Sequence, residues 1–226
     1  KIIQSIPDAY KVLYDRVLIE QLYTQYQSRK IDDSASVQTI TGWIRAKKLL
    51  LLAPGKSIVT CRQQIEEFIQ QEHPLVISVN FVSHEYPCDF LFLTNDRRYE
   101  ENRGEIDWEH TIVTSNVRNL PDEAMTVNYS ALLNTSLYAS DSAGTMLLKL
   151  LVKCTVKDVY LAGMDGFSED PLSNYYDPDY AVPSYDIPLD RKNEEVNIQL
   201  NKRAKELNLH FLTPSVYKIQ NQKDED

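Results

Sequence analysis

Leu49-Leu50-Leu51-Leu52-Ala53-Pro54-Gly55-Lys56-Ser57 is the stretch that decides the fold. Four consecutive leucines have no polar face, and the run is too short for a buried helix. It reads as a strand covered on both sides, as in a parallel sheet. Pro54-Gly55 ends it, because proline cannot donate to a ladder and glycine permits a tight turn. Beyond the turn, Ile58, Cys61, Ile65, Phe68 and Ile69 recur at helical spacing, so Ile58 to Gln71 is expected to be one helix.

Outward from this unit the alternation continues. Val76-Ile77-Ser78-Val79 and Phe90-Leu91-Phe92-Leu93 read as strands, Thr111-Ile112-Val113 and Thr126-Val127 as weaker ones. Ser142 to Lys153 reads as a helix, Asp158 to Ala162 as a strand, Asp190 to Leu207 as the last long helix and His210-Phe211-Leu212 as a closing strand. Strands alternating with helices predict a Rossmann-like α/β fold over residues 48–219: a doubly wound, mostly parallel sheet with helices on both faces. Before it, Val12, Leu13, Val17, Leu18, Leu22, Tyr23 and Tyr26 place an amphipathic helix over Tyr10 to Gln27, broken by the polar stretch Arg29 to Ser36. Residues 1–47 are read as a helical linker or appendage and 220–226 as a flexible tail. The chain opens on Lys1, without an initiator Met, and is read as a domain cut from a longer protein.

A net charge of −9 argues against nucleic-acid polymers and anionic membranes as partners. It leaves room for a nucleotide, since one local cation and a helix start can hold a phosphate. Cys61, Cys88 and Cys154 lie far apart with no CxxC, which fits a reducing cytoplasm better than a disulfide framework. No apolar run approaches the roughly 18 residues of a membrane span.

In open α/β sheets ligands bind beyond the carboxyl ends of the strands, and the first strand-to-helix turn is a usual place. Here Pro54 and Gly55 would let the backbone approach a ligand, Lys56 supplies a point charge, and Ser57 would cap the helix while its amide faces an anion. The alternative is a plain tight turn. The turn is not a P-loop, which needs glycine where Leu50 stands. Asn80, Asn95, Arg97 and Arg98 follow later strands on the same expected edge. An arginine there would grip a phosphate, or the pair is a solvated pair in a loop. Asp165, between Gly163 and Gly166, is the candidate catalytic acid and Mg²⁺ ligand; the alternative is a turn-closing aspartate. Ser168 to Pro188, with Tyr175, Tyr176, Tyr180 and Tyr185, reads as a lid or as an oligomer contact. The four histidines show no ligand spacing.

The runs Leu49–Ser57, Val76–Asn80 and Thr94-Asn95-Asp96-Arg97-Arg98-Tyr99 resemble the C-terminal domain of bacterial HMG-CoA-lyase-like and 4-hydroxy-2-oxovalerate aldolase-like proteins. That resemblance implies a TIM-barrel aldolase domain as the preceding partner. A more distant likeness is to CMP-sialic-acid sialyltransferases and hydroxymethylpterin diphosphokinase-like domains. It rests on the Pro-Ser type loop, on Asn80, and on Ser142-Ala143-Gly144-Thr145 followed by Gly163-Met164-Asp165. It implies that Ser57, Asn80 and Gly144 line a nucleotide pocket. The sialyltransferases carry a catalytic histidine after the Gly-x-Asp turn, whereas this chain has none between Asp165 and Leu209. Three readings follow: a module binding a nucleotide or nucleotide sugar, with Mg²⁺ as the accompanying ion; a phosphoryl- or glycosyl-transferring enzyme; or a non-catalytic docking or homo-oligomerisation module for an aldolase barrel.

Overall fold

The computed structural model describes residues 31–170, 173–180 and 188–220. Seven strands form one sheet: β1 (Leu49–Leu52), β2 (Leu75–Val79), β3 (Phe90–Leu93), β4 (Thr111–Thr114), β5 (Met125–Val127), β6 (Asp158–Ala162) and β7 (Asn208–Phe211). Their order is β5-β4-β3-β2-β1-β6-β7, and each neighbouring pair is parallel. The leucine run is an interior strand of the sheet: Leu50 lies between Val76 of β2 and Tyr160 of β6.

The helices are α1 (Ser34–Ile44), α2 (Ser57–Thr60), α3 (Arg62–Glu72), α4 (Asp96–Asn102), α5 (Tyr129–Leu132), α6 (Ala143–Lys153) and α7 (Leu189–Arg203). Strand side chains alternate between two faces, so the leucines divide. Leu49 and Leu51 join a core with α1, α6 and α7, while Leu50 and Leu52 pack with Ile58 and Ile65 of α2 and α3 on the other side. Every residue of β1 is buried, which is why it shows no polar alternation. In α6 seven residues are buried, Met146, Leu147, Leu148, Leu150 and Leu151 among them. At about 1.5–3 kcal/mol per fully buried large apolar side chain, that helix is a principal anchor of its face.

The crossover after β1 runs through α2 and α3 on one face, and the crossover after β6 runs through α7 on the other. Strand order therefore reverses between β1 and β6, with the two connections leaving in opposite directions. In open α/β sheets the carboxyl ends of the strands at such a reversal are where a ligand crevice is expected.

Several boundaries differ from expectation. The helix expected over Ile58 to Gln71 is two, broken at Cys61 (φ −112°, ψ 27°). In an unbroken helix the Ile58 carbonyl would accept from the Arg62 amide; instead it accepts from the Tyr86 hydroxyl. The last helix ends at Arg203, because the Glu206 and Leu207 amides turn back on the Arg203 carbonyl. The Asn208 amide then enters the ladder on Lys157, which starts β7 two residues early. Asp96 to Asn102, which carries the Arg97-Arg98 pair, is helical: the Asn95 side chain accepts from the Arg98 amide at 2.9 Å and starts it. Within the segment read as an appendage, α1 buries Ile40 and Ile44 in the core beneath the sheet. The expected helix over Tyr10 to Gln27 and residues 221–226 of the tail lie outside the described residues. Among the described residues no helix is long and apolar enough to cross a membrane.

Candidate functional site at the strand-order reversal

The ladder between β1 and β6 continues past both strands: the Ala53 amide donates to the Ala162 carbonyl at 2.8 Å and the Gly55 amide to Gly163 at 3.0 Å. Two turns therefore lie in contact. A Cβ built on Gly55 would stand 2.2 Å from the Gly163 oxygen and 2.8 Å from Cγ of Asp165. Glycine is required there, but the close approach it permits is to the neighbouring turn and not to a ligand. Gly163 itself has φ +74°, a conformation side chains rarely adopt, and redirects the chain toward Asp165.

Asp165 reaches back across the reversal. One carboxylate oxygen accepts from the Ser57 amide at 2.7 Å, the other from the Ser57 hydroxyl. That hydroxyl also hydrogen-bonds with the Thr213 hydroxyl at 2.8 Å, and Thr213 accepts from the Gly163 amide at 3.1 Å. Three connections, after β1, β6 and β7, are thus locked by one polar cluster. Ser57 was expected as an exposed cap; it is 6% exposed, and no side-chain cap bond starts α2. The anion its amide faces is the chain's own carboxylate. Among the described residues no group of three acidic, histidine or cysteine side chains gathers to hold a metal, around Asp165 or elsewhere. Lys56 stands exposed at the rim and makes no ion pair among the described residues.

Farther along the same edge, the expected ligand groups are occupied with one another. Asn80, at φ +63°, donates from Nδ2 to the Thr94 hydroxyl at 3.0 Å and accepts from the Thr94 amide at 2.8 Å, tying the ends of β2 and β3. Asn95 caps α4. Arg98 is buried, with its guanidinium on Glu101 at 2.6 Å and on the Tyr180 carbonyl at 2.7 Å, and it lies 4.2 Å from the Tyr180 ring centroid. Arg97 pairs with Glu101 and reaches the Asp179 carbonyl. The arginines read as phosphate grips therefore belong to a helix and hold the tyrosine segment.

That segment packs on the carboxyl edge beside the turn after β1. The Tyr176 amide donates to the Pro54 carbonyl at 3.0 Å, and Tyr176 and Tyr180 both pack on Phe81, which follows β2. Burial pushes the Tyr175, Tyr176 and Tyr180 hydroxyls up in pKa, so they stay protonated, as donors. Tyr185 lies outside the described residues. On the far side Gly144, near the start of α6, backs onto the side chain of Met164, where a Cβ would lie 3.1 Å from its Cε.

The structure thus brings Pro54, Gly55, Ser57, Asp165 and the tyrosine segment together, with Gly144 behind them, and spends Asn80, Asn95, Arg97 and Arg98 on internal contacts. Sequence reasoning missed Thr213 and Tyr217. The Val216 amide donates to the Asp165 carbonyl at 2.9 Å, and burial, followed by the charge of Asp165, raises the pKa of the adjacent Tyr217. The available signal was Thr213-Pro214, a turn directly after the last strand. The histidines are elsewhere: His73 closes α3, His84 pairs with Glu105, His110 with Asp107 and His210 with Asp158. Comparison of the chain with protein-family models, with curated proteins and with solved structures finds no match.

Proposed function

We propose that the crevice between β1 and β6 binds a nucleotide or nucleotide-activated sugar, and that this domain binds its ligand without transforming it. One observation carries the reading: strand order reverses at this point, and an exposed cation without an ion-pair partner among the described residues, Lys56, stands at the rim. The phosphate sits on Lys56, outside the Ser57–Asp165 pair, and the tyrosine segment supplies ring faces for a base or sugar. Binding is favoured over turnover because Asp165 spends both carboxylate oxygens on Ser57 and no histidine stands near it to serve as base. In this reading the resemblance to aldolase-like C-terminal domains fits a ligand-sensing or docking module beside a barrel that does the lyase chemistry.

The experiment is a thermal-shift and calorimetric screen against CMP, CDP, ATP, GTP and nucleotide sugars, with and without Mg²⁺. A true ligand raises Tm with concentration, and Lys56→Ala weakens it about tenfold, or ~1.4 kcal/mol, without altering the free domain. A screen without any response, or a response unchanged in Lys56→Ala, counts against the site.

A second reading is favoured by the placement of a carboxylate at the reversal itself: a transferase using a Mg²⁺-nucleotide through Asp165. It requires phosphate release or sugar transfer by the purified domain, abolished in Asp165→Asn.

A further inference from the structure

A cavity of about 630 Å³ opens at the other end of the sheet, where Leu75, Phe90 and Thr111 begin β2, β3 and β4. It shares no lining residue with the turns after β1 and β6. Its size is within the range of small-molecule sites, roughly 300–1,000 Å³.

One wall is aromatic. Trp43 of α1 stacks on Phe90 with centroids 4.9 Å apart and rings 14° from parallel, and His110 tilts against the same Phe90 at 5.8 Å. The apolar part of the lining is Leu75, Val82 and Leu91. Cys88 also faces in, but burial pushes its thiol up to about 11, so it contributes a neutral, unreactive surface.

The rim carries sign. Asp89, Glu105 and Asp107 line it against a single Lys47, on a chain of net charge −9. Asp89 accepts from the Val76 amide on Oδ2 at 2.7 Å and keeps Oδ1 without a partner among the described residues. Among the described residues the Glu105 carboxylate meets the exposed His84 at 3.3 Å, and Asp107 holds His110 at 2.8 Å. Such a rim repels phosphates and carboxylates, the ligands of the opposite edge. A bare metal ion does not suit it, because the acids do not gather as a ligand set. A cation with a flat apolar body satisfies both halves: carboxylates take the ammonium, and an indole face is the best aromatic partner for positive charge.

We propose that this cavity is a second binding site, specific for a small organic amine carried on an aromatic or similarly flat body. Tyramine serves as the probe, with 4-hydroxyphenylacetate as its anionic counterpart. In a Trp108→Phe chain, where Trp43 is the single indole, tyramine is expected to change fluorescence saturably while the carboxylate does not. Calorimetry on the unaltered chain should return the same dissociation constant. Asp89→Asn combined with Glu105→Gln should weaken tyramine at least fivefold, and Lys47→Gln should tighten it. Asn keeps the acceptor for the Val76 amide, and Glu105 is exposed, so the double variant folds. A linear response without saturation, an equal response to the carboxylate, or an affinity indifferent to the rim charges would overturn the proposal.

Discussion

Asp165 accepts hydrogen bonds from both the amide and the hydroxyl of Ser57, 108 positions earlier in the chain. The contact joins the turn after β1 to the turn after β6 at the place where the sheet reverses its order, and it is buried enough to matter energetically. Removing the hydroxyl strands part of the carboxylate and leaves the Thr213 hydroxyl with the Gly163 amide alone. Ser57→Ala should therefore cost about 1–3 kcal/mol, read as a lowered urea midpoint with an unchanged m-value. Asp165→Asn keeps one acceptor for the amide and should cost less. Equal, negligible effects from both would show that the cluster contributes nothing to stability.

The touching turns make a second prediction. Gly55→Ala puts a methyl group 2.2 Å from the Gly163 carbonyl, which is backbone and cannot swing aside. Strain and displacement of the β6 turn should cost more than about 2 kcal/mol. Gly104→Ala, where nothing lies within 4 Å of the added carbon, is the matched control and should stay within about 0.5 kcal/mol of the parent. Thermal denaturation of the two variants side by side separates local crowding from glycine loss in general.

Arg98 offers a third. Its planar fork bridges Glu101 and the Tyr180 carbonyl while lying against the Tyr180 ring, a combination an ammonium cannot reproduce. In Arg98→Lys the tyrosine segment should loosen, and the Tyr176 amide, bonded to Pro54, should exchange about tenfold faster, corresponding to ~1.4 kcal/mol of local protection. Unchanged exchange at Tyr176 would mean that the Phe81 contacts alone hold the segment.

Acid stability should track Glu195. Burial pushes its pKa up, but backbone donors from Tyr138, Leu137 and Ala139 outweigh that and leave it below the ordinary 4.5. A depressed carboxylate contributes stability that is complete above the unfolded value and lost as pH falls through the folded one. Glu195→Gln should therefore be clearly less stable than the parent at pH 7, with the difference shrinking below pH 4.5 and vanishing in stronger acid. Denaturation curves at a series of pH values test this; a gap independent of pH would assign the loss to packing.

The strand assignments legible in the sequence share a physical cause. Leu49–Leu52, Phe90–Leu93 and Asp158–Ala162 are short, largely apolar segments bounded by polar or glycine-containing turns, and burial on both faces of a parallel sheet leaves that composition as a local trace. Lys56 was also legible, because a cation after the first strand faces the carboxyl edge in any fold of this type. Helix α4 was not: its start signal, Asn95-Asp96, looks the same in a turn, and its buried face comes from Arg98 meeting the tyrosine segment and Tyr99 clustering with Leu91, Leu93 and Val113.

Composition and periodicity by themselves determined an α/β chain with parallel strands, a strand buried on both faces at the leucine run, and a reactive-looking edge beyond it. What only the tertiary structure decided is how those edge residues are spent. Ser57 and Asp165 are satisfied by each other, Asn80 by Thr94, and Arg98 by Glu101 and Tyr180. A side chain's donors and acceptors are a local property, but the partners that use them come from elements tens of residues away. Whether a polar group is left for a ligand is set by the strand order that brings those elements together.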